Sequence, residues 1–365
     1  MKIRLNRAEF AEALGAVCSV AATRSPRPIL QCALLQALED HCCLIATDLE
    51  IGIRMVLNQV EVAEQNRVLV SADKLAQIVR ESGDDVLEIE ADGSVCHVRG
   101  KGSHFQIYCQ EANEFPPVAE MPGEADFELE AADLKRLAEW TAFAAAKEST
   151  RYAINGVLWD KSGSRLIMVA TDGRRLSRAM GSTRGQEGAD RRAIVPGKTM
   201  QLFHRVFGDL EEPARVKITE NQIIIQCARA TVSSSLVEGQ FPKYEDVIPN
   251  DCNKEIELPT HELLSAVRQA ALLTNEESKG VRFSLTRDNL TLSSRAPEQG
   301  EATISLSVRY SGEPLDIGFN PFFLTEVLRV VRTDSVRLQL KESRRPGVLL
   351  SGDDLLHVIM PVNLS

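Results

Sequence analysis

Leu44-Ile45-Ala46-Thr47-Asp48 and Met168-Val169-Ala170-Thr171-Asp172 are nearly one stretch written twice, 124 residues apart. Each is an apolar run of strand length closed by Thr-Asp, residues whose side chains bond locally in turns. Each follows a second strand-like run, residues 33–38 in the first copy and 154–159 in the second. A weaker third copy runs through residues 281–285, turns at Asp288-Asn289 and continues through 290–294. A fixed period of this kind marks a repeated structural unit.

The same period holds elsewhere. Lys74, after Val68-Leu69-Val70, and Lys198, after Ala193-Ile194-Val195, stand 124 apart, with a third version at residues 316–321. A helical pattern follows each, at 75–80, 200–207 and 322–331. Phe115-Pro116 and Phe241-Pro242 are 126 apart, and the chain ends on Met360-Pro361 and four more residues. Each module opens with an amphipathic helix: Phe10, Leu14 and Val17; then Leu134, Leu137 and Trp140 or Thr141; then Leu263, Leu264, Val267 and Ala271. Three modules are expected, at 1–122, 127–248 and 253–365, joined near 119–127 and 248–256 by stretches carrying Pro and acidic residues. Within a module the order is strand, helix and three strands, repeated. Alternating runs around Asp92-Gly93 and Lys101-Gly102 predict antiparallel hairpins. The expected class is α+β, each sheet burying one face against two helices.

Composition sets limits. The chain has 365 residues, 44% hydrophobic but only 5% aromatic, so its cores must be aliphatic. The N-terminus has no apolar targeting segment, and no run reaches the roughly 18 apolar residues of a membrane span; a cytoplasmic protein with no membrane partner is expected. The eight cysteines include no C-x-x-C pair and the six histidines are scattered, which predicts buried reduced thiols, no metal site and no cofactor. A net charge of −10 argues against gripping nucleic acid through bulk basicity. Asp172 in Thr-Asp-Gly lacks the second carboxylate, nucleophile–base pair or phosphate loop that catalysis needs. Thr47-Asp48 repeats it without the glycine, as a structural turn does, so no enzyme is expected.

Modules built of hairpins leave sheet edges, and unpaired edges invite association. Edges joined between modules, and then between chains, would close a ring.

At this point the sequence resembles the DNA polymerase III beta subunit, the bacterial sliding clamp, along its whole length. The resemblance rests on residues 151–158, 169–176, 238–244, Tyr310-Ser311-Gly312, Ile317-Gly318-Phe319-Asn320 and Met360-Pro361-Val362, six pieces in order. It implies a head-to-tail homodimer of six clamp domains, sheets outside and helices lining a hole for double-stranded DNA. It places Phe105, Ile107, Leu272 and Leu273 at the dimer interface; filling their own cores is the alternative. It implies a cleft where the polymerase III alpha subunit, the clamp loader and other motif-bearing proteins dock. That cleft would be lined by Ile154, Thr171, Gly173, Arg175, Leu176, Pro242, Val247, Asn320, Phe323, Val358, Met360, Pro361 and Val362; for Ile154, Leu176 and Val247 an ordinary core place is the alternative. Arg24, Lys74, Tyr152 and Lys198 match DNA-facing positions. Departures stand at Asp73, Ala153, Asp246, Ser278 and Asn363, with an extra Ser365, and bear on the DNA set and on motif preference. A ring holds DNA by topology, so a thin basic lining is enough; Lys74, Arg80, Lys135, Arg136, Lys147, Lys198, Arg205, Arg268, Arg329 and Arg332 are its candidates. The competing reading is a protein-interaction scaffold with no DNA inside.

Overall fold

The computed structural model describes the chain apart from residues 149–152, 186–189, 208–211, 275–279, 298 and 365. The first module runs β1 Lys2–Asn6, α1 Arg7–Cys18, β2 Cys32–Ala37, β3 Cys42–Thr47, β4 Ile51–Leu57, β5 Val60–Glu64, β6 Asn66–Ser71, α2 Ala72–Glu81, β7 Val86–Ala91, β8 Val95–Arg99 and β9 His104–Tyr108. The second runs β10 Phe127–Glu130, α3 Ala131–Thr141, β11 Gly156–Ser162, β12 Arg165–Thr171, β13 Arg175–Ser182, β14 Arg184–Gly185, β15 Arg191–Pro196, α4 Gly197–Val206, β16 Pro213–Ile218, β17 Gln222–Cys227 and β18 Ala230–Ser235. The third runs β19 Lys254–Pro259, α5 Thr260–Ala271, β20 Val281–Thr286, β21 Asn289–Ala296, β22 Gly300–Ser307, β23 Leu315–Phe319, α6 Pro321–Val330, β24 Ser335–Leu340, β25 Gly347–Ser351 and β26 Leu355–Ile359. The strand–helix–strands unit is therefore used twice per module, as the spacing predicts.

Helix starts are set by capping oxygens, which satisfy amide groups that the first turn leaves without partners. Asn6 accepts from the Glu9 amide, Ser71 from Lys74 and Asn320 from Phe322. The expected core faces hold in α1, where Phe10, Leu14 and Val17 are fully buried, and in α3. In α5 the face differs from the expectation: Leu263, Ala266, Val267 and Ala270 are buried, while Leu264 and Ala271 are half-exposed. Steps of three and four from Leu263 select Ala266, Val267 and Ala270, and α5 packs against α6, β21 and β22.

The described chain forms two compact units. The first holds a five-stranded sheet, β5-β1-β7-β8-β9, and a nine-stranded sheet, β14-β10-β16-β17-β18-β4-β3-β2-β6. The second holds an eight-stranded sheet, β15-β11-β12-β13-β26-β25-β24-β19, and a four-stranded sheet, β22-β21-β20-β23. Every pairing between these strands is antiparallel. Two sheets cross module boundaries: β4 pairs with β18 from Ile51↔Ser234 to Met55↔Ala230, and β13 with β26 from Arg175↔Ile359 to Ala179↔Leu355. Strands β9 and β22 end their sheets with one side unpaired.

All eight cysteines are free thiols. Burial pushes Cys42 and Cys96 up to about 12 and Cys109 and Cys227 up to about 11, so these thiols stay protonated and unreactive near neutrality. Among the described residues no helix is long and apolar enough to cross a membrane.

Candidate partner-docking cleft

The repeated Thr-Asp sits in the same turn twice. Thr171 Oγ1 donates to Arg175 O at 2.6 Å and accepts from the Gly173 amide, while Asp172 Oδ1 accepts from the amides of Arg174 and Arg175. Thr47 Oγ1 donates to Ile51 O at 2.8 Å and accepts from Leu49, while Asp48 Oδ1 accepts from Glu50 and Ile51. The third turn residue is left-handed in both, Leu49 at φ 81° and Gly173 at φ 84°. Asp172 is thus a turn-former, its Oδ1 committed to backbone amides.

This turn aims Arg175 inward. Its guanidinium is 6% exposed, bonds Asp172 Oδ2 at 3.2 Å, donates to Phe143 O at 2.6 Å and pairs with Glu326 of α6. It also lies 4.5 Å from the Phe323 ring centroid. A buried cation with two carboxylates and a carbonyl is held firmly, and it brackets the β12–β13 turn to α6. Trp140 adds a second tie by donating from Nε1 to Val330 O at 3.0 Å.

Behind the bracket lies an apolar floor. Leu176 and Val358, direct partners across β13 and β26, are buried in one cluster with Ala153, Leu158, Val169, Ile194 and Tyr244. Leu176 is therefore part of a core that forms the floor. Ile154 and Thr171 are buried, Phe323 is 9% exposed, and Pro242 is half-buried. Val247, on the short helical turn Tyr244–Val247, is 51% exposed, so it is no core residue. Met360 is 41% exposed, and its amide donates to Arg174 O, anchoring the tail to the turn. Gly173 is exposed, and Asn320 caps α6 beside Phe323. Pro361 and Val362 continue the tail, and the Val362 amide donates to Gly318 O.

Sequence reasoning missed the continuation of this surface. A groove of about 840 Å³ runs on past Met360, Pro361 and Val362, lined also by Arg282, Ile317, Gly318, Arg344, Asn363 and Leu364. The available signal was Gly318 inside a strand pattern, where a Cβ would stand 2.6 Å from both Val362 O and Leu364 Cγ.

The other expected sites lie elsewhere. On β9, Phe105 is 40% exposed and Ile107 is buried, both on the same face as Cys96 and Val98. Tyr108, which the sequence reading passed over, is 84% exposed on that unpaired edge. Leu272 at the end of α5 is 77% exposed and Leu273 half-buried beside Gly300. Arg24 is exposed in the loop after α1, and Lys74 and Lys198 are exposed in the first turns of α2 and α4. Tyr152 and Ser278 lie outside the described residues. Of the lining candidates, Arg136 pairs with Asp354 and stacks on Trp140, and Arg332 pairs with Glu139.

Comparison with known proteins fits this geometry. Signatures for the DNA polymerase III beta subunit match in order: the N-terminal domain at residues 1–119, the central domain at 128–243 and the C-terminal domain at 245–363. The beta sliding clamp of Pseudomonas putida is 34% identical with full coverage of both chains. That of Chlamydia pneumoniae is 30% identical over all of this chain and 99% of its own. Among solved structures, the DnaN sliding clamp of Pseudomonas aeruginosa bound to griselimycin superposes with a TM-score of 0.94 at 31% identity, covering 100% of each chain. Three tandem matches and full-length relatives place this chain in the DNA polymerase III beta subunit family: it is a DNA sliding clamp of replication, a processivity factor without catalytic activity.

Proposed function

We propose that two copies of this chain close head to tail around duplex DNA in the cytoplasm. Domains 1–122, 127–248 and 253–365 of each copy would be the six units of the ring. Phe105, Ile107 and Tyr108 on the β9 edge would meet Leu272 and Leu273 of the second copy. Inside the ring, Arg24, Lys74, Tyr152 and Lys198 touch phosphates weakly. Weak contact suits a chain of net charge −10, because each phosphate neutralised adds affinity and would slow sliding. The polymerase III alpha subunit, the clamp loader and other motif-bearing proteins dock in turn in the cleft described above, through its thirteen expected residues.

One observation carries the docking reading. Where β13 meets β26, backbone pairing and Arg175 close the junction, yet Met360, directly after β26, and Val247, between Tyr244 and Ile248 of the floor cluster, stay exposed. A shallow apolar groove with a methionine wall accepts varied aliphatic and aromatic anchors. The test is fluorescence anisotropy with a labelled peptide from the clamp-binding segment of the polymerase alpha subunit. The variant Met360→Asp with Val247→Asp should weaken binding at least tenfold without moving the melting temperature. Unchanged affinity would refute the cleft.

A further inference from the structure

The five-stranded sheet carries a pair of histidines that sliding and docking leave unused. Its helix-covered face is apolar, with Ile3, Leu5, Leu87, Ile89, Cys96 and Val98 buried. The opposite face presents Lys2, Arg4, Glu88, Glu90, His97, Arg99, His104, Gln106 and Tyr108. In the β8–β9 register His97 stands opposite Gln106 and His104 opposite Arg99, which makes the histidines diagonal neighbours. Diagonal pairs lie within reach of long and aromatic side chains. Here the rings lean together, with His97 Nδ1 and His104 Nε2 3.0 Å apart and the planes 29° from parallel. Arg99 does not separate them, because its guanidinium is drawn across the sheet to Glu90.

We propose that His97 and His104 form a two-imidazole chelate for a transition-metal dication on the outer face of the sheet. Neutral imidazole is a common ligand for such ions, and two rings fixed by a strand pair come together with little further ordering. The spacing selects the ion. A metal about 2.0–2.1 Å from two nitrogens this close subtends an angle of roughly 94° between them, well short of the tetrahedral angle. That is the cis angle of square or octahedral coordination, which Ni(II) and Cu(II) prefer, and solvent completes the sphere on this exposed face. On binding, the ring that donates the present N–H···N bond moves its proton to its other nitrogen, so two neutral rings lose no net proton. The site needs only β8 and β9, so it stands or falls independently of the ring and the cleft.

The test is calorimetric titration of the full chain with Ni(II) alone at neutral pH. One ion per chain is expected. His97→Gln and His104→Gln should each weaken binding at least tenfold and to a similar degree, since each leaves a single imidazole. His261→Gln, at an exposed histidine on α5, should leave it unchanged. Equal binding by wild type and both variants, or loss in His261→Gln alone, would overturn the proposal. The substituted side chains lie on the sheet's outer face, and circular dichroism melts verify that the variants fold.

Discussion

The β4–β18 junction and the β13–β26 junction are built alike and finished differently. Both begin at a Thr-Asp turn with a left-handed third residue, and both pair strands in matching register, so that Gly52 opposite Ser233 corresponds to Leu176 opposite Val358. Both also tie the opening helix of one module to the last hairpin turn of the next, with the charges exchanged. In one, Glu9 and Glu12 of α1 meet Arg229; in the other, Arg136 of α3 meets Asp354. The linings then diverge. At the first junction, Val118 seals the surface over Gly52, leaving a polar hollow of about 350 Å³ lined in part by Ser233, Ser234 and Ser235. At the second, leucine, valine and methionine make an apolar floor and wall. The backbone plan makes a junction; a few side chains decide whether its surface is polar or apolar.

The largest expected effect breaks the second junction. Arg175→Ala leaves Asp172 and Glu326 without their shared cation, and removing one partner of a buried pair costs about 3 kcal/mol or more. The midpoint of denaturant unfolding should fall accordingly, and peptide affinity with it. Giving the first junction the second's residue comes next. Gly52→Leu places a Cβ 2.6 Å from Val118 Cγ1 and 2.7 Å from Ser233 Oγ, and overpacking of this kind costs about 1–3 kcal/mol. The same unfolding assay reads it, and the variant should gain no peptide binding.

The third prediction concerns pH. His357 faces Ser177 across β13–β26, where the first junction has Val232 facing Ile53. It is fully buried, neither ring nitrogen has a hydrogen-bond partner among the described residues, and burial, reinforced by Arg175, holds it down to about 3. Between its ordinary value near 6.5 and that depressed value, the unfolded chain takes up a proton that the folded chain refuses. Stability therefore falls as pH drops through this window, by up to about 1.4 kcal/mol per pH unit. In His357→Val, stability measured from pH 7 to pH 4 should lose that slope; an unchanged slope would place the acid sensitivity elsewhere. The smallest effect is expected at the turns. Leu49→Gly relieves a left-handed leucine and should raise stability by about 1 kcal/mol, while Gly173→Leu should lower it similarly.

The parts of this comparison that sequence reveals are local. The Thr-Asp turns, the hairpins and the apolar helix faces follow from neighbouring residues, and the 124-residue period makes them visible as a repeat. The pairing of β4 with β18 is not visible that way, because an edge strand and an interior strand share one alternation. The partners of Arg175 and Arg136 were hidden for the same reason: Glu326 and Asp354 are 151 and 218 residues away. The shifted face of α5 shows a further limit, since alanines count little in an apolar pattern yet Ala266 and Ala270 are on its buried face.

The central claim is that confinement, rather than grip, keeps this acidic chain on DNA. The direct measurement loads the purified protein onto nicked circular DNA with a clamp loader, then compares its retention before and after the circle is cut once. Retention on the intact circle and rapid loss from the linear product are predicted. Equal retention on both forms, or equal loss from both, would contradict the account.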